Sequence, residues 1–84
     1  MFLHLGGDVI VRLKDVIAII DLEVTNSPAS KEYLQIAKDE GFLVDVSEGV
    51  PKSFVTTDKK VYLSPISSVT LKKRTAFVRG LGEA

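Results

Sequence analysis

The fold predicted for this chain depends on the stretch SPASKEYLQIAKDEGFLVDV, residues 27–46. Ser27 and Pro28 suit the start of a helix, because serine caps a first turn and proline fits the first helical position. Gly41 suits its end, because glycine readily adopts the positive φ that follows many helices. Phe42–Val46 then reads as a strand. The stretch therefore predicts one helix followed directly by one strand, which together supply the core of the domain.

Helical spacing gives the predicted helix one apolar and one charged face. The residues predicted for the apolar face are Ala29, Tyr33, Ile36 and Ala37. Short apolar strands lie before and after this unit in the sequence. We expect them to need the helix as cover for their apolar side chains.

Glycines and charged turns separate these strands. Gly6-Gly7 divides two apolar runs, which predicts a hairpin over residues 2–13. Residues 16–22 predict the most apolar strand. After the helix, residues 42–46, 53–57 and 61–64 predict a three-strand meander, and Ser67 or Ser68 can cap a short C-terminal helix that ends near Arg74. The predicted fold is one small, β-rich α+β domain over residues 1–76, with a frayed tail at 77–84.

The strand at residues 16–22 also predicts self-association. Val16–Ile20 contains five consecutive apolar residues, which indicates cover on both faces. The helix can cover one face, and an 84-residue chain has little left for the other. We therefore expect a second subunit there, and a homo-oligomer larger than a dimer.

Composition narrows the class of function. There are no cysteines and one histidine, so no metal cluster, nucleophile–base pair or cofactor motif is visible. The longest apolar run is far shorter than the roughly 20 residues that span a bilayer. We expect a cytoplasmic protein that is not an enzyme, with no metal site, no cofactor and no membrane partner.

The charge is unevenly distributed along a chain that is neutral overall. Residues 1–58 hold five basic and ten acidic residues, whereas residues 59–84 hold six basic residues and one acidic residue. Such asymmetry can mark a site for a polyanion. It can equally mark a solvated basic tail, or one that pairs with acids of a neighbouring subunit.

Four stretches together resemble the RemA/RemB family of bacterial extracellular matrix regulatory proteins, and its RemB-like members most. They are FLHLGGDV at 2–9, VIAIIDL at 16–22, AKDEGFLVD at 37–45 and VYLSP at 61–65. The resemblance covers nearly the whole chain and rests on order and spacing over about 60 residues. It implies support for expression of biofilm matrix genes. For RemA-like members it also implies ring-shaped homo-oligomers that bind DNA.

One departure from the family pattern concerns arginines. RemA-like members carry an arginine pair after the glycine that corresponds to Gly49, and another arginine just before the strand at 16–22. Here those positions are Val50, Pro51 and Asp15. Because neutralisation of phosphates by Arg and Lys supplies most non-specific DNA affinity, binding by that route is expected to be weak.

Two functions remain open on the sequence. One is a DNA-binding regulatory ring, and the other is an oligomeric protein-interaction module that does not bind DNA directly and whose partner could be a family relative. The residues predicted to contact DNA are Arg12, Lys14, Lys52, Lys59, Lys60, Lys72, Lys73 and Arg74.

Overall fold

The computed structural model describes residues 1–22 and 27–83, with side chains up to Thr75. Over these residues the chain forms a mixed α+β domain, as predicted. Its elements are β1 (Phe2–Gly6), β2 (Val9–Arg12), a 3-10 turn (Leu13–Asp15), β3 (Val16–Asp21), α1 (Pro28–Asp39), β4 (Leu43–Asp45), β5 (Ser53–Thr57), β6 (Val61–Ser64) and α2 (Ser68–Glu83).

The strands form a two-stranded antiparallel hairpin, β1–β2, and a four-stranded sheet in the order β3-β5-β6-β4. The predicted three-strand meander is wrong, because β4 pairs in parallel with β6 and lies at the far edge from β3. The loop after β4 passes the end of β6. There the Val46 N–H donates to the Leu63 carbonyl (2.9 Å) and the Lys52 N–H to the Ser64 carbonyl (2.9 Å). Spacing along the sequence locates strands but does not say which strand each one pairs with.

Helix α1 begins and ends where the sequence predicts. The Ser27 hydroxyl accepts the Ser30 N–H at 3.2 Å, and Pro28 occupies the first turn. At the other end Gly41 has φ +80° and donates to the Lys38 carbonyl at 3.1 Å. The following N–H, that of residue 42, donates to the carbonyl of residue 37 at 2.8 Å. This pair of bonds is a Schellman motif, which satisfies carbonyls left open at a helix end.

Helix α2 is longer than the short helix predicted, since its backbone continues to Glu83. Its start agrees with the sequence, because the Ser67 hydroxyl accepts the Thr70 N–H at 3.2 Å. The frayed tail at 77–84 stays a prediction: it concerns residues whose side chains, and for Ala84 also the backbone, lie outside the described residues.

The two sides of the four-stranded sheet are covered by different elements. On the side that we call the closed face, the β1–β2 hairpin and α2 pack on the sheet around Leu3, Leu5, Val11, Val55 and Leu71. On the other side, the open face, α1 packs through a smaller buried cluster. That cluster consists of Ala37, Phe54 and Val61, with half-buried neighbours that include Leu34 and Leu43.

The chain itself therefore covers both faces of β3. Ile19 packs into the closed-face cluster and Ile20 into the open-face cluster. A second subunit is therefore not needed to cover either face, because the hairpin and α2 supply the cover that was expected from a neighbouring copy. Ile17 sits where the register of β3 shifts against β5, and it is 68% exposed. Self-association stays a prediction, which now rests on the exposed edge of β3 in the described sheet.

Candidate nucleic-acid interface

All eight basic residues predicted from the sequence are exposed. Three segments bring six of them towards one end of the sheet, where β3 begins and the β5–β6 turn lies. We call these six the basic end: Arg12, Lys14, Lys59, Lys60, Lys72 and Arg74.

The 3-10 turn between β2 and β3 positions the first two. The Leu13 N–H donates to the Met1 carbonyl at 3.0 Å, which holds the turn against the start of β1. Arg12 and Lys14 line one surface cleft with these two residues. The Arg12 guanidinium also forms an ion pair with Asp15 (Nε–Oδ2, 3.0 Å). Exposed ion pairs stabilise little, but this carboxylate offsets part of the positive charge of the turn.

The β5–β6 turn presents Lys59 and Lys60 on a hydrogen-bonded backbone. The buried Thr57 hydroxyl accepts both lysine N–H groups, at 3.3 and 3.0 Å, and donates to the Lys60 carbonyl at 3.0 Å. The Asp58 N–H donates to the Asp15 carbonyl at 3.3 Å. This last bond joins the tip of the turn to the 3-10 turn, so the two pairs of cations belong to the same end of the molecule.

Helix α2 supplies the remaining cations through its packing. Leu71 is fully buried, which directs the residues after it to either side of the helix. Lys72 shares a cleft with Leu13 and β3. Arg74 shares another cleft with Leu13, and its Nη1 donates to the His4 carbonyl at 3.4 Å. Leu13 is thus the common neighbour of the cations from the 3-10 turn and those from α2.

Two predicted residues lie outside this group. Lys73 is exposed on α2, two residues beyond buried Leu71, and belongs to the outer side of the helix. Lys52 immediately precedes β5 at the opposite end of the sheet, where its carbonyl accepts the Leu22 N–H at 3.2 Å. Val50 also lies near that end, whereas Asp15 lies at the basic end, so these two positions are far apart within the chain.

Sequence reasoning missed two aromatic residues beside the basic end. Tyr33 is 41% exposed although it was predicted for the apolar face of the helix, and Phe42 is 52% exposed although it was predicted to begin the next strand. They line a cleft of about 230 Å³ together with the β5–β6 turn, including Lys59 and Lys60. The position of Phe42 directly after the helix-ending Gly41 is the signal that could have placed it at a surface.

At the opposite end, a short polar loop follows β4. Asp45 accepts hydrogen bonds from the hydroxyl and the N–H of Ser47, the latter at 2.8 Å. These bonds, led by the hydroxyl, lower the pKa of the Asp45 carboxyl below its usual value because they favour the charged form. Asp45 therefore stabilises the loop best when ionised.

Comparison with known proteins places the chain among regulatory proteins. Residues 2–75 match the sequence model of the RemA-like family, described as extracellular matrix regulatory protein A-like. The chain is also similar to extracellular matrix regulatory protein B of Bacillus subtilis (strain 168), at 41% identity over 78 residues. That alignment covers 93% of this chain and 94% of the relative. Among the described residues, no helix is long and apolar enough to cross a membrane.

Proposed function

The chain belongs to the RemA-like family of extracellular matrix regulatory proteins, and from that premise we propose that it regulates biofilm matrix genes by binding DNA as a homo-oligomeric ring. The proposed site of action is the cytoplasm, and the proposed activity is binding and not catalysis. The name of the Bacillus subtilis relative supports the regulatory part of this proposal.

The observation that carries the DNA-binding part is the basic end. Arg12, Lys14, Lys59, Lys60, Lys72 and Arg74 come from three separate segments of the sequence, yet all are exposed around one end of the sheet. Lysine and arginine at a shared surface attract phosphate and release counterions on binding. Because the whole chain is neutral, this attraction is local and is not a long-range property of the protein.

A ring would compensate for the weak attraction of one subunit. Each subunit would contribute its own basic end to a repeated surface, and each contact after the first would be intramolecular. The edge strand β3 is the surface that we propose for contact with a neighbouring copy. Ile17 lies where the register of β3 shifts, and its side chain is exposed. An exposed isoleucine does not stabilise the single chain, so it is available to pack against a neighbouring copy.

A second function is favoured by the acidic residues beside the basic end. Asp15 is paired with Arg12, and Asp58 lies at the tip of the β5–β6 turn. These carboxylates weaken attraction to phosphate. In this alternative the oligomer acts through a protein partner, for example a family relative, and does not bind DNA directly.

The experiment that separates the two functions measures fluorescence anisotropy of a matrix-gene promoter duplex and of an unrelated duplex over a range of salt. We expect weak binding that falls steeply with salt and shows little preference between the duplexes, as phosphate contacts predict. The double variant Lys59→Gln/Lys60→Gln should lose about tenfold or more in affinity and show a shallower salt dependence. Its matched control, Lys31→Gln/Lys52→Gln, removes the same charge from outside the basic end and should bind like the parent protein.

Three results would count against this proposal. Tight binding that survives moderate salt and prefers the promoter would contradict the phosphate mechanism. Equal losses in the two double variants would contradict the location of the site. No binding at any salt would favour the protein-interaction module.

The oligomer is tested separately by light scattering after size exclusion. Ile17→Asp should leave the fold intact, because the side chain is exposed, but it should reduce the mass of the assembly. A parent protein that is a folded monomer at micromolar concentration would refute the ring. An unchanged assembly in Ile17→Asp would exclude the edge of β3 as the contact.

A further inference from the structure

The cleft between α1 and the β5–β6 turn has two aromatic side chains and two lysines in its wall. Tyr33 and Phe42 come from α1 and from the residue before β4, and Lys59 and Lys60 come from the turn. Asp58 is also in the wall. The side chains of Tyr33 and Phe42 are 41% and 52% exposed, so both rings are available to contact a partner.

Contacts within the chain order the Phe42 backbone and the Tyr33 ring before any partner binds. The Phe42 N–H donates to the Ala37 carbonyl at 2.8 Å, and its carbonyl accepts the Val61 N–H at 2.9 Å. The Tyr33 ring packs against Phe54 with centroids 6.0 Å apart. Its hydroxyl lies 3.3 Å from the Thr56 hydroxyl. Because the Tyr33 ring and the Phe42 backbone are already ordered, they lose little freedom on binding, which favours affinity.

The lysines decide what kind of partner suits the cleft. Two adjacent ammonium groups on a hydrogen-bonded turn attract an anion, and the single carboxylate of Asp58 offsets only part of their charge. A partner that offers only an apolar surface would have to desolvate these charges. A nucleotide with an unstacked base offers both parts required, a flat ring for the aromatic side chains and a phosphate for the lysines.

We propose that this cleft binds an unpaired nucleotide of a single-stranded nucleic acid, with Tyr33 and Phe42 contacting the base and Lys59 and Lys60 contacting the phosphate. This site rests on the proposed function, because Lys59 and Lys60 also belong to the basic end. It adds recognition of an unstacked base, which phosphate contacts with a duplex do not require. A duplex would gain from it only where a base is exposed, at a melted or distorted step.

The test measures binding of a fluorescein-labelled oligothymidylate and a duplex of arbitrary sequence to the full chain at low salt. Tyr33→Leu and Phe42→Leu keep an apolar side chain but remove the ring. Each should weaken binding of the single strand by about tenfold and leave duplex binding unchanged. Tyr33→Phe keeps the ring and should retain the affinity. Phe2→Leu is the matched control, because it removes an exposed ring that lies opposite Arg12 in the hairpin and outside the proposed cleft.

Tyrosine fluorescence gives a second readout, because the chain has two tyrosines and no tryptophan. Stacking of a base on Tyr33 should quench this emission in the parent protein, and the quenching should be lost in Tyr33→Phe although binding persists. Thermal melting followed by circular dichroism checks that each variant is folded.

Several results would overturn the proposal: a parent protein that does not bind the single strand, equal affinities for the strand in the ring-deleted variants and Phe2→Leu, or a lower oligomer mass in the leucine variants. The last result would assign the cleft to a second copy of the chain. If duplex binding fails while single-strand binding depends on the rings, the proposed duplex regulator fails and the nucleotide site stands. If only duplex binding is seen, the nucleotide site fails and the regulator stands.

Discussion

On the closed face of the sheet, a hairpin and a helix bury five apolar side chains, and Leu5 and Leu71 among them are wholly inaccessible. On the open face, α1 buries three, while Tyr33, Ile36 and Phe42 stay exposed. Hydrophobic stabilisation follows the apolar area removed from water, so most of it comes from the closed face. The closed face therefore supplies most of the buried core, whereas the open face leaves Tyr33 and Phe42 exposed beside the β5–β6 turn.

The largest effect is expected from truncating one leucine on each face. Leu5→Ala should lower the free energy of unfolding by about 2–5 kcal/mol, because it leaves a cavity in a fully buried cluster. Leu34→Ala should cost about half as much, because Leu34 is only partly buried beneath α1. Urea denaturation measures both. Equal losses would show that the two faces contribute equally to the stability of the domain.

A smaller loss of stability is expected from replacing one glycine by alanine on each face of the sheet, Gly6 on the closed face and Gly41 on the open face. Gly6 has φ +120°, and a Cβ there would lie 2.9 Å from the ring of Pro65, so Gly6→Ala should cost about 2 kcal/mol or more. Gly41 has φ +80° with no neighbour within 4 Å of the added Cβ. Gly41→Ala should therefore cost about 1 kcal/mol from backbone strain alone, and Gly41→Val about 1–2 kcal/mol. Melting temperatures rank the variants, and an unchanged value for Gly41→Val would contradict the strain at this helix end.

The smallest effect concerns pH and the loop after β4. Because Ser47 lowers the pKa of Asp45 in the folded state, the unfolded chain binds this proton more readily. The resulting stability is fully present above the ordinary aspartate pKa, 3.8, and is lost as the pH falls through the lower pKa of the folded state. Ser47→Ala should reduce stability slightly at neutral pH and should flatten its decline below about pH 4. Denaturation midpoints at several pH values test this, and parallel curves for Ser47→Ala and the parent protein would exclude the linkage.

Part of the fold follows from local chemistry and could be predicted. Helix α1 begins after Ser27 and ends before Gly41, as the sequence predicts. Such helix ends can be predicted because their hydrogen bonds join residues only a few positions apart. The β1–β2 and β5–β6 hairpins follow from turns of the same local kind. The six residues of the basic end were all named from the sequence, since exposed lysines and arginines are easily recognised. Their grouping was not predicted, because it depends on contacts such as that of Asp58 with Asp15, 43 residues apart in the numbering.

The sequence by itself determined where the helices start, because capping hydrogen bonds join residues close in sequence. It also determined which runs become strands, through their apolar pattern, and to which family the chain belongs. Only the tertiary structure decided that β4 pairs with β6, that the hairpin and α2 cover the second face of β3, and that Tyr33 and Phe42 remain exposed beside two lysines. These outcomes depend on which apolar surfaces meet across the whole chain. The hydrophobic effect has no preferred direction. The residues next to an apolar side chain in the sequence therefore do not reveal whether the folded chain will cover it.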